Sequence, residues 1–142
     1  MDPIEATRRT VGFGDPLATD GATGLELVGL YRPRGERSLT EVVALIRSVV
    51  EHCRRRGVTR LLVNVTGVTG FSIPCLVDRF LLAEELAQAA EGLVAVAFVV
   101  HEEYIDPEKF GVAVAARFGF KVDVFSSETE ALTWISSLAE PR

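Results

Sequence analysis

Leu61-Leu62-Val63-Asn64-Val65-Thr66-Gly67-Val68-Thr69-Gly70-Phe71-Ser72-Ile73-Pro74 is the stretch on which the fold turns. A continuous run of strand-forming residues breaks at Thr66-Gly67 and opens into a helical pattern. Such a strand, glycine turn and helix junction is where a small α/β domain usually keeps its site, because the helix begins with unpaired amides. This stretch carries threonines and a serine. It contains no nucleophile with a base, no metal-ligand cluster and no complete phosphate-loop motif.

Working outward, Val58 to Val65 reads as the central strand, of the continuous apolar type expected when helices cover both sheet faces. Before it, Ser38 and Glu41 form a capping-box pattern, and Leu39, Val42, Val43, Ile46, Val49, Val50 and Cys53 follow at helical spacing. That helix is expected to run to about Arg56 and stop at Gly57. The basic run Arg54-Arg55-Arg56 would then complement the carboxyl end of its dipole.

After the turn, a second helix is expected with Pro74 in its first turn, running to about Glu91. Ile73, Leu76, Val77, Phe80, Leu81 and Ala87 form its apolar face. Leu93 to Val100 is another apolar strand. Asp106-Pro107-Glu108 reads as a helix start, with Phe110, Val114, Ala115 and Phe118 toward the sheet. Lys121 to Phe125 is a short strand, and Ser127 with Glu130 repeats the capping box before Leu132, Ile135 and Leu138.

At the other end, residues 1–24 hold Gly12, Gly14, Gly21 and Gly24 with Pro16 and Asp20, the composition of an arm or hairpin. A short edge strand around Thr10 to Phe13 is expected there. Leu25 to Tyr31 begins the regular domain, residues 25–142. The fold class is a single α/β domain in the order β-β-α-β-α-β-α-β-α. It would have a mostly parallel mixed sheet of about five strands, four helices and an antiparallel edge formed by the arm and the Leu25 strand.

With 142 residues, 48% of them hydrophobic, the chain has the size of one domain with a substantial core. A net charge of -5, with both signs interspersed, disfavours a nucleic-acid surface. No apolar run approaches the ~20 residues of a membrane span, and the amino terminus lacks the order of a signal peptide. A cytoplasmic protein without stable membrane insertion is expected. Cys53 and Cys75 both read as buried reduced thiols.

The Leu62 to Leu76 junction resembles the signature of the STAS domain of anti-sigma-factor antagonists and sulfate transporters. Asn64-Val65-Thr66-Gly67-Val68 matches the first half of that signature, and Ser72-Ile73-Pro74-Cys75-Leu76 replaces the second. The phosphorylatable serine of the antagonists would align with Pro74, so the resemblance implies no regulation by phosphorylation at that position. The carboxyl half is similar to the SpoIIAA-like, STAS/SEC14-type bacterial family. That similarity lies in Ile105-Asp106-Pro107-Glu108-Lys109-Phe110-Gly111, Gly119, Val124-Phe125 and Glu130-Ala131-Leu132 with Trp134-Ile135. It implies no catalytic residues.

Thr66, Thr69 and Ser72 are the candidate ligand- or partner-binding residues of the turn. His101 and Tyr104, with Glu102, Glu103 and Asp106, follow the next strand and should emerge on the same sheet edge. The alternative for the turn is that Ser72 caps and the threonines satisfy backbone. No metal site, cofactor or catalytic set is expected, and His52 stands alone on its helix. Gly12-Phe13-Gly14 lacks the strand and helix that a phosphate loop needs. Phe110, Phe118, Phe120, Phe125 and Trp134 have the spacing of core residues.

The expected function is therefore a non-enzymatic STAS-like binding module that docks a protein, or its own copy as a homodimer, through the Thr66 to Val77 turn and helix. The alternative is a SEC14-like carrier of a small apolar or lipid-like ligand, with the helix from Asp106 to Phe118 as its lid.

Overall fold

The computed structural model describes residues 9–12 and 27–138. Its elements run β1 (Arg9–Gly12), β2 (Leu27–Tyr31), β3 (Gly35–Glu36), α1 (Leu39–Arg56), β4 (Arg60–Asn64), β5 (Val68–Thr69), α2 (Leu76–Ala90), β6 (Ala95–Val99), α3 (Phe110–Arg117), β7 (Val122–Phe125) and α4 (Glu128–Ser137). A short 3-10 turn over Glu102–Tyr104 follows β6.

Helix α1 forms as its caps predict. The Ser38 hydroxyl accepts from the Glu41 amide, and the Glu41 carboxylate accepts from the Ser38 amide. Gly57 takes the left-handed conformation that ends the helix. Val42, Ile46, Val50 and Cys53 make its buried stripe. Strands β4 and β6 are buried along almost their whole length, as continuous apolar strands between two covered faces should be. Each fully buried Leu or Val among them contributes about 1.5–3 kcal/mol of transfer free energy.

Five strands form one sheet in the order β1-β2-β4-β6-β7, and every pairing is parallel. The antiparallel edge expected from the arm is therefore corrected: β1 pairs with β2 in parallel, Arg9 opposite Leu27. The 14 residues 13–26 between the two strands explain this. A parallel return needs a connection of about a dozen residues, whereas a hairpin needs far fewer.

Because the sheet grows in chain order, right-handed crossovers place α1, α2 and α3 on one face. Leu61, Val63, Val96 and Phe98 meet those helices. The alternate side chains Leu62, Ala95, Ala97 and Val99 point the other way, onto Ala131 and Ile135 of α4. The docking of α4 is fastened by Arg60, which is only 2% exposed. Its guanidinium donates to the carbonyls of Ile135 and Leu138 at the end of α4.

Helix α2 departs from its expected form in two ways. It begins at Leu76 with Cys75 as its N-cap and no side-chain cap bond, so Ser72 does not cap it and Pro74 precedes it. Its buried residues are Ala83, Leu86, Ala87, Ala89 and Ala90, while Leu76, Val77, Phe80 and Leu81 lie exposed together with Ile73. The helix is apolar around more than one face, and periodicity alone does not say which face the sheet takes.

Two smaller expectations also change. Phe118 is 45% exposed, its ring meeting Phe80 edge to face instead of the sheet. Cys53 is buried but Cys75 is exposed. Among the described residues, no helix is long and apolar enough to cross a membrane.

Candidate functional site

The carboxyl ends of β2, β4, β6 and β7 lie along one edge of the parallel sheet, and the segments that leave them meet through side-chain hydrogen bonds. Asn64 ends β4. Its side-chain oxygen accepts from the amide of Thr66 at 2.9 Å and from the Thr66 hydroxyl at 2.7 Å. Its amide nitrogen donates to Glu128 at 2.6 Å, and Glu128 takes a two-pronged grip from Arg32 at 2.7 and 2.8 Å. The Arg32 fork, with help from Asn64, holds the Glu128 carboxyl below the usual carboxylate range against the opposing effect of burial.

On the other side of Thr66, its carbonyl meets His101 Nε2 at 3.0 Å. A carbonyl can only accept, so Nε2 is the donor in this contact. Tyr104 donates its hydroxyl to the Phe71 carbonyl at 3.1 Å, with the two rings edge to face. The turn after β4 and the turn after β6 thus form one edge, which brings Thr66, His101 and Tyr104 together.

Thr69 and Ser72 stand apart from that cluster. Thr69 belongs to β5, whose short parallel pairing with β3 is extended by the Arg37 amide donating to the Thr69 carbonyl at 2.7 Å. The next residue, Gly70, has a φ of +103°, and a Cβ there would lie 3.0 Å from the Arg37 carbonyl. Only glycine fits this close approach. Ser72 is exposed on the segment leading to α2.

Beneath these turns is a cavity of about 150 Å³ between the sheet and helices α1, α2 and α3. Phe98, Val122 and Val124 form its sheet wall, and Val42, Ile46, Leu82 and Leu86 its helical walls. Phe71, Pro74, His101, Tyr104 and Ile105 stand around the mouth, where Arg79, Asp106 and Lys109 supply the charges.

Asp106 does not cap a helix that starts beside it, as the sequence suggests. Its two oxygens accept from the amides of Glu108, at 3.2 Å, and Phe110, at 2.8 Å, so it ties the 106–110 turn to the first residue of α3. Those amides hold its carboxyl below the usual range, with the Arg79 charge adding to the effect. Lys109 pairs with Asp123 at 2.7 Å and lies over the Phe125 ring.

Chemically, the edge offers hydrogen-bond donors and acceptors around an apolar chamber. His101 has a backbone carbonyl as its hydrogen-bond partner, and among the described residues no hydroxyl or thiol is hydrogen-bonded to its ring. Among the described residues, no group of three or more His, Cys, Asp or Glu is placed to hold a metal ion.

Sequence reasoning missed the cavity and Arg79, and it read Asn64 as part of a strand. A polar residue closing an apolar strand was the available signal for Asn64. For the cavity there was none, since a void is set by what segments distant in sequence leave unfilled. No protein-family profile, no curated protein and no solved structure matches the chain.

Proposed function

We propose that this protein is a non-enzymatic binding module that takes a small apolar ligand in the cavity at the carboxyl edge of its sheet. The observation that carries this reading is the cavity itself, about 150 Å³ and lined chiefly by aliphatic and aromatic side chains. An engineered apolar cavity of that size is dry and accepts benzene. Left empty and closed, such a volume would cost roughly 3–4 kcal/mol at 24 cal/mol per Å³, a large share of a small domain's stability. A mouth built from turns instead of regular elements gives a ligand a way in. The reading sits with the SEC14-type resemblance, and α3, beginning at Phe110, is the wall that would act as its lid.

The test is a titration of methyl-labelled protein with benzene and with hexanol, read on the cavity-lining Val42, Leu82 and Leu86, repeated on Ala83→Leu. Saturable shifts in the wild type that vanish when the added side chain fills the chamber support the reading. Unmoved methyl resonances at millimolar ligand would end it.

A second reading has its own observation. Leu76 and Val77 are 58% and 65% exposed, and with Phe80 and Leu81 they form an apolar stripe at the start of α2. Contiguous exposed apolar surface of this kind is typical of protein contacts. In this STAS-like reading, the Thr66 to Val77 region docks a partner protein or a second copy, with no phosphoserine at Pro74. Sedimentation equilibrium of the wild type and of Leu76→Glu/Leu81→Glu tests the second copy: a dimer converted to monomer supports it, and a monomer in both excludes it.

A further inference from the structure

The walls of the cavity carry charged groups as well as apolar ones. Arg79, on α2, contributes a guanidinium to the lining. Its acceptors are two backbone carbonyls: Nε donates to Pro74 at 3.1 Å, and both terminal nitrogens reach Tyr104 at 3.4 Å. Among the described residues, no carboxylate lies within ion-pair distance of it. Of the two other charges at the mouth, Lys109 is paired with Asp123, while Asp106, tied by the amides of Glu108 and Phe110, keeps its negative charge and feels Arg79 from beyond ion-pair distance. Arg79 therefore keeps one positive charge and unused N–H groups beside an apolar chamber.

From this we infer that the cavity takes a small organic acid, an apolar body of about one six-membered ring carrying a single carboxylate, and that Arg79 binds that carboxylate. The inference rests on the cavity-binding reading above and adds the chemistry of the head group. A planar carboxylate matches the guanidinium fork, and forming such a pair beside apolar walls gives a stronger interaction than in open water. One cation with no carboxylate within ion-pair distance, and with the Asp106 charge close by, suits a monoanion. A phosphate dianion would leave a second charge facing aliphatic side chains. The ring-sized limit on the body follows from the volume.

The test uses a matched pair of probes, phenylacetate and phenylacetamide, which share shape and size and differ in charge. Both are titrated by calorimetry into the wild type, Arg79→Met and Arg79→Lys. Phenylacetate is expected to bind the wild type about tenfold more tightly than the amide. Arg79→Met should remove that preference while leaving the amide within about twofold of its wild-type affinity. Arg79→Lys, which keeps the charge and loses the fork, should fall between.

Equal binding of the two probes to the wild type overturns the role of Arg79 and leaves the apolar pocket standing. So does a parallel loss of both probes in Arg79→Met, with that variant's folding checked by circular dichroism. Failure of both probes to bind the wild type overturns the pocket and the head-group assignment together.

Discussion

Tyr104 and Phe71 are joined twice: the phenol donates to the Phe71 carbonyl at 3.1 Å, and the rings meet at 74° with centroids 5.7 Å apart. One residue belongs to the turn after β6 and the other to the segment before α2, so the pair clasps two otherwise separate segments over the cavity mouth. Tyr104→Phe keeps the ring contact and loses the hydrogen bond, an expected cost of about 0.5–1.5 kcal/mol. Tyr104→Ala loses both. Amide exchange in residues 70–75 should quicken in the order wild type, Tyr104→Phe, Tyr104→Ala. Equal protection in all three would show that the segments hold their places without the clasp.

The anchoring of α4 by Arg60 makes a different prediction. Arg60→Met retains much of the apolar stem but leaves the Ile135 and Leu138 carbonyls without this donor. A loss of about 2–4 kcal/mol is expected for breaking such a buried charged contact. Trp134, the chain's single tryptophan, packs on Phe125 of β7 and reports on α4 directly. Its emission in Arg60→Met should shift red at a lower urea concentration than the helix signal of the whole domain. A midpoint within error of the wild type's would contradict the anchoring role.

Acid should weaken the Arg32–Glu128–Asn64 contact. Glu128 is held below its ordinary value of 4.5, chiefly by Arg32. Its folded-state value lies below the unfolded one, so its ionised form contributes in full above the unfolded value. The contribution fades as pH falls through the folded value. As pH falls below about 5 the wild type should therefore lose more stability than Glu128→Gln, which has no proton to take up. Parallel acid limbs in urea titrations of the two proteins would refute this.

The two thiols should separate cleanly. Burial pushes the Cys53 thiol up to about 12, and its side chain lies in the core under α1, whereas Cys75 is exposed at the N-cap of α2. Folded protein treated with iodoacetamide at pH 8 should be alkylated at Cys75 alone, and Cys53 should react only after denaturant is added. Rapid modification of both residues in the native protein would mean that α1 opens readily.

Where local chemistry decided the outcome, the sequence was readable. Ser38 with Glu41 and Ser127 before α4 marked helix starts because a cap needs only residues three apart. The unbroken apolar runs of β4 and β6 reported covered faces directly. Features that depended on distant segments were hidden. Asn64 and Glu128 are 64 residues apart, and neither has a sequence sign of the other. The parallel edge required knowing how the chain between Gly12 and Leu27 returns. In α2 the apolar residues Leu76, Val77, Phe80 and Leu81 outnumber what one buried face can use, so pattern reading placed in the core what the structure leaves outside.

The order in which the layers are laid down has a bearing on biogenesis. Helix α4 follows every strand that it covers, and among the described helices it is the one that packs on the second face. A nascent polypeptide that has completed β7 can already shelter one side of the sheet beneath α1, α2 and α3. Val28, Leu30, Leu62 and Ala97 still lack the Ala131 and Ile135 side chains that cover them. Translation arrest or proteolytic cutting before Ser127 would release a half-sealed species, sticky on one side and a natural client for chaperones. Helix α4 is thus a closing seal whose loss would be felt first as aggregation.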